Sequence, residues 1–425
     1  MPPGQCIDGT AALPTGMSAN MLRFLERLKP HASNAQPGQS NAEVVRHMYR
    51  TLLAREPEPE ALANATAWLD SGASLDALHE TIVTSDEYTG QHPLAHLDSV
   101  YRPRNISYFT YRGHYRPLGL SIETVNICNN DCIICPYSSQ TRRRQTMPMS
   151  LFEKIVSDYE AVGGGPITLT PMVGEVFLDK LLPERLKRLK NSPTISRVST
   201  ITNATMVSRY TDEELADIVS YFDRLTVSIY GLDAEEFRIM TRKDRYQAFR
   251  EGLVKLLRVA GAKKVGLGAR HLKKRSDAEI DAWLQSIAED AGVQRSDIRF
   301  GGTMQYANWS FFDTSTQLPF DAEWTPQPEN REQCALPLIS MQVLSNGSVS
   351  FCGCADFDGK TELTIGNIND RSLGDMLKDE RIRRLWNWQK CGIPEFCKSC
   401  SFHMPISALK DLPGTFADPY GTFGG

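Results

Sequence analysis

Between Leu120 and Gly302 the chain alternates six short β-rich runs with longer stretches whose apolar residues recur at helical spacing, and few folds accept that order. The strand candidates are LSIETVN (120–126), ITLTPM (167–172), VSTITN (198–203), LTVSIY (225–230), VGLGAR (265–270) and IRFGG (298–302). The intervening SLFEKIVSDYEAVG, KLLPERLKRLK, TDEELADIVSYF, YQAFREGLVKLLRVAG and SDAEIDAWLQSIAEDAG read as helices. In the fourth of these, Phe249, Leu253, Leu256, Leu257 and Ala260 share one face. Ser150 before Leu151, with Glu153 three residues on, is a capping-box pattern, and Thr211 opens a helix with acids in its first turn. Six βα units predict an α/β fold with a parallel sheet and helices outside it. An incomplete TIM-like barrel and a doubly wound sheet both satisfy this order, and in either the chemistry sits beyond the C-terminal ends of the strands.

Polar residues collect at those ends. Cys128 follows the first run, Gly174 and Glu175 the second, Thr202 and Asn203 end the third, Ser228 and Gly231 the fourth, and Arg270 and His271 the fifth. The chain has ten cysteines in 425 residues. Cys6 stands alone; Cys128, Cys132 and Cys135 form one group with C-x3-C-x2-C spacing; Cys334, Cys352, Cys354, Cys391, Cys397 and Cys400 form a second. Three thiols with no nearby His serve a structural zinc poorly, whereas a [4Fe–4S] cluster on three cysteines keeps one iron open to another ligand. On spacing alone, Cys334, Cys352, Cys397 and Cys400 suit zinc and an iron–sulfur cluster equally. No run of 18 apolar residues is present, and MPPGQCIDGTAALP lacks the basic start and apolar stretch of a secretory signal. The expected setting is therefore the cytoplasm, with no membrane partner, where thiols stay reduced and act as ligands. With 47 Lys+Arg against 51 Asp+Glu there is no basic footprint for nucleic acid, and the runs Arg142–Arg144 and Lys273–Arg275 read as solvated loops.

CNNDCIIC resembles the cysteine loop of the radical S-adenosylmethionine (SAM) enzymes, and the likeness extends over about residues 120–400. PMVGEVFLDK is similar to that family's GGEPLL segment, TITNAT to its TNG stretch and SIYGLDAEEFRIMT to its S-x-D-G segment. The resemblance implies a partial (β/α)6 TIM-like barrel in which the open iron of the cluster binds SAM. Reductive cleavage of SAM would then yield a 5′-deoxyadenosyl radical that abstracts hydrogen from substrate. It places Gly174 and Glu175 at the SAM amino group, with Asn203, Ser228 and Arg270 as further cofactor contacts. The sequence departs from the family at Ile134, where an aromatic residue is usual, and at Val173 and Val176, where Gly and Pro are usual. The second cysteine group, with VLSNGSVSFC and FCKSC, resembles the SPASM/Twitch extension, a small α+β iron–sulfur domain. That likeness implies one auxiliary [4Fe–4S] cluster on Cys334, Cys352, Cys397 and Cys400, and leaves Cys354 and Cys391 unassigned.

Four segments follow: a loosely ordered start (1–40) with a short helix near Met21–Leu28, a helical module (41–95), the barrel (115–310) and the auxiliary domain (330–425). MYRTLLAREPEPEAL resembles a bacterial helical module of the DUF4214 type, and Ser74 is expected to cap its third helix. An auxiliary cluster beside a radical site favours net two-electron oxidation. The leading expectation is dehydrogenation of a hydroxyl-bearing carbon on a sugar- or aminocyclitol-like substrate, as in an aminocyclitol dehydrogenase of the Twitch family. Glu123 and His271 are the candidate bases, and a flavodoxin- or ferredoxin-type protein is the expected electron donor. Epimerisation with Cys354 as hydrogen donor, peptide modification, and a non-enzymatic metal scaffold are the alternatives.

Overall fold

The computed structural model describes residues 40–88 except 54, 84 and 86; residues 110–111, 114–115 and 117; and residues 119–405 except 170–171, 328–331, 354–355 and 387. The helix expected near Met21–Leu28 lies outside them. The chain divides into two compact units, Ile7–Arg116 and Pro117–Gly425, the latter counted with residues 1–6.

In the first unit α1 (Asn41–Leu53), α2 (Pro59–Asp70) and α3 (Leu75–Val83) surround a core that includes Val45, Met48, Leu52, Leu69, Leu78, Ile82 and Tyr88. Proline opens α2, where its missing N–H costs nothing. Ser74 Oγ accepts from the Ala77 N–H at 3.1 Å and caps α3.

The second unit is built on one sheet. Its strands are β1 (Gly119–Ile122), β2 (Pro166–Leu169), β3 (Arg197–Thr202), β4 (Arg224–Ile229), β5 (Val265–Arg270), β6 (Arg299–Thr303), β7 (Ser340–Val343), β8 (Ser348–Ser350) and β9 (Thr364–Asn367). They lie in the order β9-β8-β7-β1-β2-β3-β4-β5-β6. From β7 through β6 all neighbours are parallel, while β8 and β9 return antiparallel. Strands β1 to β6 follow one another in space as in sequence, which makes a partial TIM-like barrel rather than a doubly wound sheet with a reversal point. The C-terminal region joins this sheet: Ser340 to Val343 pair in register with Gly119 to Ile122.

Helices α4 (Met149–Ala161), α5 (Leu182–Lys190), α6 (Asp212–Ser220), α7 (Ala234–Thr241), α8 (Tyr246–Ala260) and α9 (Asp277–Ala291) lie among the strands in chain order. Thr211 and Glu214 form the expected capping box on α6, and Ser276 with Glu279 forms another on α9. The box expected at Ser150 is absent. Met147 is still tied to extended chain, donating to Thr124 O at 2.8 Å, and Pro148 is the N-cap, so Ser150 stands inside the first turn of α4. The first strand also ends sooner than its composition suggests. Past Glu123, whose N–H still donates to Val343 O at 2.8 Å, the chain leaves its neighbours, Val125 bridges Thr146, and the following residues lead into the cysteine loop.

Candidate active site

A cavity of ≈ 610 Å³ opens at the C-terminal ends of the barrel strands. Cys128, Cys132 and Cys135 line it, together with Gly174, Glu175, Asn203, Ser228 and Arg270, so every cofactor contact implied by the family resemblance faces one chamber. The loops achieve this by binding one another. Glu175, 2% exposed, accepts from Thr202 Oγ1 at 2.6 Å, the Asn203 N–H at 2.8 Å and the Phe177 N–H at 3.2 Å, which joins the ends of β2 and β3. Asn203 Nδ2 donates to Asn129 Oδ1 at 2.9 Å and faces Cys128 Sγ at 3.8 Å, tying β3 to the cysteine loop. Arg270 donates to Ser228 Oγ at 3.0 Å and lies over the Tyr230 ring at 5.8 Å, joining β4 and β5. Ala204 takes φ 60°, a left-handed conformation, at the position where the family's TNG has glycine.

The electrostatics ask for a cationic guest. Burial pushes the Cys128 thiol up to about 12 and Cys135 up to about 11, and raises Cys132 well above the usual thiol range. Thiolates here need a positive centre to compensate them, and the Asn130 N–H already points at Cys128 Sγ, 3.4 Å away. Burial likewise raises the Glu175 carboxyl, which a ligand ammonium would relieve. Asn130 is 2% exposed and lines the cavity with both amide atoms unpartnered among the described residues. Three thiols, a desolvated carboxylate and an unsatisfied amide fit a [4Fe–4S] cluster carrying SAM.

Cys334, Cys352, Cys397 and Cys400 line a second, smaller chamber walled by Leu336, Phe351, Leu363, Leu385, Trp388 and Phe396. Burial pushes Cys334 up to about 12 and raises Cys397 further. Four convergent thiols in an apolar shell fit an auxiliary cluster. Among the described residues no three His, Cys, Asp or Glu converge as ligands of a single metal ion do, and no disulfide forms.

Residues 122–287 match the Radical SAM superfamily. The chain carries a radical SAM domain over those residues. Residues 334–401 match the SPASM iron–sulfur cluster-binding domain, which decides between cluster and zinc where spacing could not. These two domains imply a [4Fe–4S] cluster, SAM and an auxiliary iron–sulfur cluster as cofactors. A curated relative is the GTP 3',8-cyclase of Psychromonas ingrahamii, 27% identical over 211 residues, which cover 49% of this chain and 58% of that protein. The chain thus spans about half the length of the curated relatives it matches. Among solved structures, BtrN in complex with AdoMet and 2-DOIA is 16% identical, with a TM-score of 0.45, covering 68% of this chain and 94% of that one. Streptococcus suis SuiB bound to precursor peptide SuiA is 15% identical, with a TM-score of 0.48, covering 94% of this chain and 85% of that one. No helix among the described residues is long and apolar enough to cross a membrane.

Of the candidate bases, Glu123 must be corrected. It is fully buried, paired with Arg142 through Nη1 at 2.5 Å and Nη2 at 2.8 Å, and accepts from the Ser345 N–H at 2.9 Å. Its carboxylate is spent on joining β1 to the segment after β7, and it does not line the cavity. His271 is 6% exposed with both ring nitrogens unpartnered among the described residues; its Nε2 lies 2.7 Å from where a Cβ on cavity-lining Gly302 would stand. Burial lowers its pKa, so the ring is neutral near pH 7. Cys354 lies outside the described residues, and Cys391 does not line the cluster chamber. Sequence reasoning missed Tyr230, Tyr306, Trp309 and Phe402, all lining the cavity. Aromatic residues carry no spacing signal for a site, and only the fold assembles these four.

Proposed function

We propose that this radical SAM enzyme dehydrogenates a hydroxyl-bearing carbon of a small sugar- or aminocyclitol-like molecule. The observation that carries the reading is the seat of Phe402: it lines the substrate cavity, two residues beyond Cys400 of the auxiliary chamber. An electron acceptor next to the substrate suits an oxidation that removes one hydrogen atom, one proton and one electron. SAM held beside Cys128, Cys132 and Cys135 would supply the 5′-deoxyadenosyl radical that takes the hydrogen atom. Glu175 and Arg270 would orient the amino and carboxylate ends of SAM, and the neutral ring of His271 behind Gly302 would accept the hydroxyl proton. The cavity is of small-molecule size. Among its described lining residues only Glu175 and Arg270 carry charge, which favours a substrate without phosphates over the GTP of the curated relatives. A flavodoxin- or ferredoxin-type protein would deliver the first electron.

The test is anaerobic turnover of the reconstituted enzyme with SAM, dithionite and hydroxylated cyclitols or sugars, read by mass spectrometry. The expected product is lighter by about 2 Da, two hydrogens, with one 5′-deoxyadenosine formed per product. An isomer of unchanged mass would overturn dehydrogenation in favour of epimerisation.

A further inference from the structure

Between β6 and β7 the chain passes through a short turn, Asn308-Trp309-Ser310, that touches both cysteine sites. Asn308 is 3% exposed and its polar groups are used on the auxiliary side. Its N–H donates to Ser401 Oγ at 2.8 Å, its Nδ2 donates to Ser399 O at 2.7 Å, and its Oδ1 accepts from the Ser401 N–H at 3.1 Å. Ser399 and Ser401 flank Cys400. Trp309 reaches the other way: its Nε1–H donates to the carbonyl of Ile134, the residue before Cys135, at 2.9 Å. The indole meets Phe402 edge-to-face, with centroids 4.9 Å apart and planes at 81°. Trp309, Phe402, Ile134 and Cys135 all line the substrate cavity.

The backbone of this turn is held in an unfavourable shape. Trp309 has φ 55° and Ser310 φ 53°, consecutive left-handed residues without a glycine. Such conformations persist only where the surroundings over-determine them, and they gather at functional sites. Here the surroundings are the two cysteine loops.

We propose that the Asn308–Trp309 turn is a positioning device that docks the Cys397–Cys400 segment onto the Ile134–Cys135 segment. Two contacts, Ile134 O to Trp309 and Trp309 to Phe402, link the chain at Cys135 with the chain two residues beyond Cys400. Trp309 and Phe402 form the cavity wall between the two cluster sites, the surface on which the apolar face of a substrate ring rests. The docking follows from the contacts alone; the substrate wall rests on the dehydrogenase reading of the cavity.

Hydrogen exchange followed by mass spectrometry on the cluster-loaded enzyme tests the docking without turnover. Trp309→Phe removes the indole N–H and keeps a ring. It is expected to speed exchange in residues 132–136 about fivefold, the shift in opening for one lost hydrogen bond, with little change in 397–402. Asn308→Ala is expected to speed exchange in both segments. Unchanged exchange in 132–136 in both variants would overturn the proposal, and should Asn308→Ala fail to fold, Trp309→Phe alone decides it. Trp309→Leu is further expected to raise KM for the substrate about tenfold, with a smaller effect on kcat. An unchanged KM would overturn the substrate wall. Failure of the dehydrogenase reading shows separately, as no oxidised product from an enzyme whose exchange is still coupled.

Discussion

Glu123 and Glu175 are both buried carboxylates at the ends of neighbouring strands, yet they do different work. Glu123 has a bidentate arginine and a backbone N–H, all within the protein, and none of its oxygens reaches the cavity. Among the described residues Glu175 is held by neutral donors only, and it faces the chamber with no cation paired to it there. A buried pair is a poor source of net stability, but breaking it strands the remaining charge. Glu123→Ala is therefore expected to cost about 3–5 kcal/mol in chemical denaturation, with Arg142 left unpaired in the interior. Restoring the fold in that variant with Arg142→Met should recover product formation, an outcome that a catalytic Glu123 forbids.

At the scale of elements, helix α8 sets the position of the loop that carries Asn203. Gly252 sits in the middle of α8, where replacing glycine by alanine ordinarily gains about 0.5–1 kcal/mol. Here a Cβ would stand 2.0 Å from Ala204 O, a backbone atom that cannot swing aside. Overpacking of this kind costs about 1–3 kcal/mol and outweighs the helical gain, so Gly252→Ala is expected to lower the melting temperature. The displaced loop also carries the N–H that Glu175 accepts, so SAM affinity, read by equilibrium dialysis, is expected to fall in the same variant. Glu236 acts similarly at the next rim position. It is fully buried at the start of α7 and accepts from the Leu272 N–H at 2.6 Å and Arg275 Nη2 at 3.0 Å, which fastens the chain after β5 to that after β4.

Across the second unit, one sheet carries both cysteine sites. Parallel pairing of β7 with β1 and the Glu123–Arg142–Ser345 cluster join the SPASM region to the barrel beside the strand that leads into the first cysteine loop. The two cluster sites still use separate ligands. Removing Cys397 and Cys400 together is expected to lower iron from about eight to about four atoms per chain, one four-iron cluster's worth, with the SAM-binding cluster retained. Iron near eight in that double variant, or four irons with zinc in the parent enzyme, would sink the auxiliary-cluster assignment.

The run of six βα units, the capping box at Thr211, both cysteine groups and the rim of Gly174, Glu175, Asn203, Ser228 and Arg270 were legible in the sequence. Each depends on local periodicity, on turn chemistry or on a motif, and strand ends of a parallel barrel gather on one side whatever the details of packing. Glu123 was misread because position after a strand cannot tell which way a side chain is spent; its partners Arg142 and Ser345 lie 19 and 222 residues away. Ser150 was misread because Pro148 and the Thr124 contact moved the helix start by tertiary constraint. The sequence by itself determined the chemistry these sites can host, because ligand type and spacing are covalent facts. Only the tertiary structure decided which residues surround that chemistry. Tyr230, the Tyr306–Trp309 stretch and Phe402 come from three separate segments, and their meeting around one cavity is a product of packing between loops that no local pattern encodes.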